Sequence, residues 1–383
     1  MMRAGSVTAL LVTAPLVLAT VLAARLAFES LAPEWLAVVG AAVTLALYLH
    51  VRARAERGAR FGGAVALATL VALLAIPELG LRSAGFRRVS GIEFGYPSPT
   101  DLLELEPDPE LFWTLPRDIE GTNSLGFAGP EPQVPKPAGT WRALFLGDSC
   151  LWQGHPREWP ALAVEELARR AARPLECVNL SLAGYSSLQG ARVAERHGLA
   201  LEPDLVVVSY GWNDHWLARG DVDANKTIDA RFERLRRASA LVQAMAWLVS
   251  ELDERTLDVP RVSLEEYDAN LLRIVRAFGE RKVPVLLVTA PSTHDMGVPE
   301  YLLKHRFGRS AEEIVREHER YVQRTRELAR REGVSLLDLA AEFDARPERE
   351  AWFLADGIHF TEEGRAVIAR RFVQRSAELG LAP

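Results

Sequence analysis

Three stretches without a single charged side chain, Ala4–Ala24, Trp35–Val51 and Phe61–Pro77, constrain this chain more than any other feature. They run for 21, 17 and 17 residues, against the roughly 20 apolar residues that carry a helix across a hydrocarbon core. The third reaches that length by continuing through Leu81, with Glu78 extending toward the headgroups. Pro15, Gly40 and the Gly62-Gly63 pair would weaken a helix in water but are tolerated in a membrane. A cleaved signal peptide suits the charged start at Arg3, yet the first run exceeds a signal core and two more follow it. The expectation is a membrane region, residues 1–85, with three transmembrane helices.

Charge is segregated accordingly. Residues 1–82 hold seven Arg against four Glu, net +3, so the overall −6 leaves −9 for residues 83–383. The second connector carries Arg52, Arg54, Arg57 and Arg60 against Glu56, while the first has Arg25 against Glu29 and Glu34. Positive-inside logic puts the second connector in the cytoplasm. A multi-pass protein of the cell membrane follows, with everything after the third span extracytoplasmic, although Arg82, Arg87 and Arg88 weigh the other way.

Composition excludes several classes. With 49% hydrophobic residues the chain is too apolar for disorder, and two cysteines cannot frame 383 residues with disulfides. No clustered excess of Lys and Arg offers a nucleic-acid surface. Residues 86–139 hold nine prolines between Pro97 and Pro137, with apolar anchors at Phe94, Leu111, Phe112, Trp113, Leu125 and Phe127. That pattern predicts a Pro-rich extended tether laid along a domain surface.

From residue 140 to 383 the pattern alternates. Short apolar runs predict strands at Arg142–Leu146, Leu175–Leu182, Asp204–Tyr210, Val283–Thr289 and Val334–Leu339. Amphipathic stretches predict helices at Trp159–Ala172, Ser187–Leu199, Ser263–Arg281, Ser310–Glu332 and Glu362–Leu379, the last capped by Thr361 and stopped by Gly380. This is an α/β fold: a three-layer α/β/α sandwich around a five-stranded parallel sheet. Its ligands bind beyond the carboxyl ends of the strands.

Four such ends carry chemistry: Gly147-Asp148-Ser149, Ala183-Gly184-Tyr185, Gly211-Trp212-Asn213-Asp214, and Asp356-Gly357-Ile358-His359 ahead of the last helix. A serine hydroxyl becomes nucleophilic when an imidazole takes its proton, and the imidazole needs an acceptor on its other nitrogen. The Asp356-x-x-His359 spacing lets the carboxylate reach Nδ1 while Nε2 faces Ser149. The oxyanion then needs donors, which the backbone N–H groups of Ser149 and Gly184 and the side-chain amide of Asn213 supply. Asp148 and Asp214 are read as loop supports. His215, His294, Asp295 and His305 match no compact metal-ligand pattern. Residues 215–260 exceed a simple crossover, and the amphipathic run Ala238–Leu252 is a candidate lid.

In order and strand context, these four blocks resemble those of the SGNH hydrolases, the GDSL-like esterases and lipases, over about residues 140–383. The resemblance implies a flavodoxin-like sheet and ester hydrolysis without metal or cofactor. It makes Ser149 the nucleophile, His359 the base, Asp356 the orienting acid, and Gly184 and Asn213 oxyanion donors. Cys150 stands where the name-giving motif has Leu, a departure that bears on packing and substrate choice. The expected activity is a membrane-anchored serine esterase acting on acylated glycans or lipid esters. An O-acyltransferase sharing the acyl-enzyme, and an inactive binding module, are the alternatives.

Overall fold

The computed structural model describes residues 73–86, 105–117, 120–152, 157–252 and 256–383. The expected transmembrane stretches lie outside these, apart from residues 73–77. Among the described residues no helix is long and apolar enough to cross a membrane. The chain divides into two units, residues 1–90 with 231–254, and residues 91–230 with 255–383.

The larger unit is built on a five-stranded parallel sheet. Its strands are β3 (Trp141–Gly147), β4 (Leu175–Asn179), β5 (Leu205–Ser209), β8 (Val285–Val288) and β9 (Ser335–Leu337). They lie in the spatial order β4-β3-β5-β8-β9, every neighbouring pair parallel. The chain reverses its direction of winding between β3 and β5, and such a switch point opens a crevice beyond the strand ends.

The three central strands, β3, β5 and β8, are buried on both faces, whereas most residues of the edge strands β4 and β9 are partly exposed. Leu144, Leu146, Val206, Val208 and Leu287 point into one core layer, beneath α3 (Ser187–Arg196), α7 (Leu264–Gly279) and part of α9 (Ala311–Glu332). Ala143, Phe145, Leu205, Val207, Leu286 and Val288 point into the other, beneath α2 (Trp159–Ala168) and α11 (Glu362–Glu378). The two-residue period of a strand separates the sets. Helix starts follow local chemistry: Ser186 with Gln189 and Ser263 with Glu266 form capping boxes, and Thr361 Oγ1 accepts from the Gly364 N–H.

The predicted tether proves to be more than a surface strap. From Leu105 it enters the sandwich core, with β1 (Glu106–Asp108) and β2 (Phe112–Thr114) pairing antiparallel. Leu111, Phe112, Trp113 and Phe127 are fully buried, and Leu125 packs against them. Burying each large side chain contributes about 2 to 3 kcal/mol of transfer free energy, which a sequence dense in proline conceals. Phe94 lies outside the described residues.

The smaller unit holds α1 (73–83), α5 (Ala230–Ala238) and α6 (Ala240–Leu252). Glu78 does not extend away from its helix as a headgroup-seeking side chain. Its carboxylate accepts from Ser239 Oγ (2.7 Å), Ala240 N (3.1 Å), Leu241 N (2.8 Å) and Arg82 Nε (2.6 Å). A residue more than 150 positions away thus satisfies the first N–H groups of α6, which would otherwise lack partners. The run predicted as a lid is this helix, and it packs through Ala240, Leu241 and Ala244 on Leu81 and Phe86.

Candidate active site

Ser149 sits in the turn leaving β3. Asp148 shapes that turn: its carboxylate accepts from Cys150 N at 2.9 Å, and its carbonyl accepts from Leu151 N and Trp152 N at 3.0 and 3.1 Å. At Gly147 a Cβ would come within 2.8 Å of both Leu151 methyls and 2.9 Å of the Ser209 carbonyl, so the turn closes tightly only on glycine.

The loop before α11 supplies the partners. His359 Nε2 lies 2.8 Å from Ser149 Oγ, and His359 Nδ1 lies 2.7 Å from Asp356 Oδ2. Asp356 Oδ1 also accepts from the N–H groups of Ile358 and His359, both at 2.9 Å. Burial pushes the Asp356 carboxyl up, but the His359 ring and these two N–H groups outweigh it and hold its pKa below the usual carboxylate value. The carboxylate therefore stays charged at neutral pH. Since it only accepts, Nδ1 carries the proton and Nε2 is left free to receive the serine hydrogen.

Gly184 and Asn213 arrive from the ends of β4 and β5. Gly184 has φ +81°. The Asn213 amide donates to Tyr185 O at 3.1 Å and to Asp148 Oδ2 at 3.3 Å. Burial raises Asp148 to about 6, against the opposing pull of the Cys150 N–H, the His359 charge and Asn213. Burial likewise raises Asp214 to about 7. Its Oδ1 accepts from Ser187 N at 2.9 Å, while its Oδ2 is buried without a partner. Cys150 is a buried free thiol whose Sγ lies 3.8 Å from Ile358 O. Burial first, then Asp148, lifts its pKa well above the ordinary value, so it stays protonated.

The histidines considered as metal ligands are otherwise employed. His294 Nε2 meets Asp356 O at 2.8 Å, and His305 lies elsewhere, its carbonyl accepting from Arg219. Asp295 pairs with Arg349. His215 Nε2 and His318 Nδ1 are 3.3 Å apart, with His318 Nε2 2.9 Å from Ala290 O and its ring stacked on Trp212 at 3.7 Å. Because a carbonyl only accepts, the proton of His318 is on Nε2, and its Nδ1 accepts from His215. Burial lowers the pKa of both rings, leaving them neutral. Among the described residues no group of three or more His, Cys, Asp or Glu could hold a metal ion. Trp212 and Trp216 are buried and stack on each other at 5.7 Å.

Sequence spacing gives no sign of three contacts between distant segments: Trp113 Nε1 with Ala183 O, Arg261 Nη1 with Gly184 O, and His294 Nε2 with Asp356 O.

The model of the GDSL-like lipase/acylhydrolase family matches residues 145–367, more than half of the chain. No curated protein matches it in sequence. Similar solved structures include a lipase/acylhydrolase from Enterococcus faecalis, 17% identical over 62% of this chain and 96% of that one, with TM-score 0.43. A GDSL-like lipase from Bacteroides thetaiotaomicron is 13% identical over 62% and 88%, with TM-score 0.40. An acetyl xylan esterase is 16% identical over 61% and 98%, with TM-score 0.41. With the matched residues running from β3 into α11, the chain belongs to the GDSL-like lipase/acylhydrolase family and is an ester-hydrolysing enzyme.

Proposed function

We propose that the protein is a membrane-anchored serine esterase that works through an acyl-enzyme on Ser149. The observation that carries this reading is the unbroken line Ser149 Oγ, His359, Asp356, with contacts of 2.8 and 2.7 Å. His359 Nε2 takes the hydroxyl proton as Oγ attacks the ester carbonyl, then returns it to the departing alcohol. Water, deprotonated by the same nitrogen, releases the acid and restores the serine. Asp356 orients the ring and stabilises its charged form. The N–H groups of Ser149 and Gly184 and the Asn213 amide bind the oxyanion. For Asn213 this means releasing the longer of its two contacts, the one to Asp148.

The anchor is supported by the three charge-free stretches, and the arginines of residues 52–60 favour a catalytic unit outside the cytoplasm. Acyl groups on envelope glycans, or lipid esters, are the substrate classes available there. The test is the full-length protein and its Ser149→Ala variant incubated with p-nitrophenyl acetate, acetylated glycans and short-chain lipids. Free acid release is expected from the parent, with turnover about a millionfold lower in the variant. Equal turnover in the two removes Ser149 from the chemistry. Labelling of residues 52–60 by a membrane-impermeant reagent in intact cells would overturn the orientation.

A further inference from the structure

Three consecutive carbonyls around Gly184 each accept a hydrogen bond from a different part of the chain. Trp113 Nε1 donates to Ala183 O at 3.2 Å, Arg261 Nη1 to Gly184 O at 2.9 Å, and Asn213 Nδ2 to Tyr185 O at 3.1 Å. In a planar trans peptide the carbonyl and the following N–H point in opposite directions. The bond to Ala183 O therefore fixes the direction of the Gly184 N–H, because both belong to one peptide plane. The bond to Gly184 O fixes the plane on the other side. Glycine at φ +81° is otherwise the softest residue the loop could contain. Anchored on both sides, its N–H is aimed before substrate arrives, which is where an oxyanion donor is most effective.

Trp113 and Arg261 are themselves immobilised. Trp113 is 1% exposed, its ring meets Tyr185 edge-on at 5.5 Å, and its own carbonyl accepts from Tyr185 Oη at 2.6 Å. The residue before it, Phe112, holds φ +66°, a left-handed conformation costing about 1 to 2 kcal/mol that full burial of its ring sustains. Arg261 is completely buried, with Nε and Nη2 on Asp223 at 3.2 and 2.8 Å. Asp223 is paired a second time, by Lys226 at 2.9 Å. A buried guanidinium is costly without such a partner; here Nη1 donates to Gly184 O, and Nη2 also reaches Gln189 Oε1 at 3.4 Å.

We infer that Trp113 and Arg261 are positioning residues for the oxyanion donor, so that the β1–β2 hairpin and the segment after β7 (Thr256–Pro260) are working parts of the active site. The inference rests on the proposed role of Gly184. Its test uses the full-length enzyme with p-nitrophenyl acetate and with phenylboronic acid, whose adduct on a serine places a negative oxygen where the ester oxyanion forms. Trp113→Phe keeps a ring and removes the N–H; Arg261→Lys keeps the charge and removes the fork. Each is expected to lower kcat about tenfold with KM unchanged and to weaken boronate binding by the same factor. Both are assayed below their melting temperatures, and either one alone carries the readings if the other does not fold. Full kcat in a folded variant, or a rise in KM with kcat intact, overturns the inference. Should Ser149→Ala retain activity, the proposed site falls instead; should it be inactive while both positioning variants run at full rate, only the present inference falls.

Discussion

His294 Nε2 lies 2.8 Å from the carbonyl oxygen of Asp356, which places a buried imidazole behind the loop carrying both Asp356 and His359. The proton sits on Nε2, since the carbonyl can only accept, and burial pushes the pKa of His294 down so that the ring stays neutral. Trp212 meets this ring edge-on at 5.1 Å. His294→Phe keeps the aromatic contact and loses the hydrogen bond. Turnover should fall roughly tenfold, the scale of one positional bond, in steady-state kinetics at neutral pH; an unchanged rate removes His294 from the loop's support.

Asp356→Asn tests the carboxylate in front of that ring. An amide nitrogen facing His359 Nδ1 favours the wrong tautomer, with the proton on Nε2 where it cannot accept from Ser149. The geometry survives and the chemistry does not, so kcat should drop by about four orders of magnitude while the melting temperature changes little. A loss below tenfold contradicts the orienting role.

Asp214 makes stability depend on pH. Burial raises its pKa to about 7 from the unfolded value near 3.8. The unfolded chain therefore gives up this proton first, and the folded state loses stability as pH rises from about 4 through 7. Asp214→Asn retains the oxygen that accepts from Ser187 N and never ionises. It should melt higher than the parent at pH 8 and almost equally at pH 4 in thermal scans. A gain at pH 4 as large as at pH 8 disproves the assignment to titration.

Gly364 lies in the first turn of α11, where alanine ordinarily favours a helix by about 1 kcal/mol over glycine. Here a Cβ would fall 2.1 Å from the Trp352 carbonyl oxygen, a backbone atom that also accepts from Thr361 N. The steric term wins, and Gly364→Ala should cost about 2 kcal/mol or more in chemical denaturation. A neutral result means the Trp352 segment yields.

Glu78→Ala removes the side chain that caps α6. The N–H groups of Ala240 and Leu241 and the Ser239 hydroxyl lose their acceptor. A lost cap costs about 1 kcal/mol, so hydrogen exchange should quicken several-fold in residues 240–252 of the full-length protein. The catalytic unit should exchange as before.

Much of the sandwich was legible one residue at a time. A run such as Leu205–Ser209 states its own strand, and Thr361 or Ser263 its own helix start, because apolar periodicity and capping are settled within a few neighbours. The expected limits of these elements hold to within a few residues, with Trp159–Ala168, Leu175–Asn179 and Ser187–Arg196 ending earliest. Ser149, Gly184, Asn213, Asp356 and His359 were likewise marked by residue type at predicted strand and helix ends. The prolines of residues 97–137 disguised a core hairpin, since proline reports only what the local backbone cannot do.

By itself, then, the sequence determined which segments become strands and helices and marked the candidate residues at their ends. Only the tertiary structure decided the strand order that brings Ser149 and His359 to 2.8 Å, the indole and guanidinium that hold the Gly184 turn, and the carboxylate that caps α6. These bonds join residues about 70 to 210 positions apart. Their partners are selected by how buried surfaces pack, and packing leaves no period or spacing along the chain.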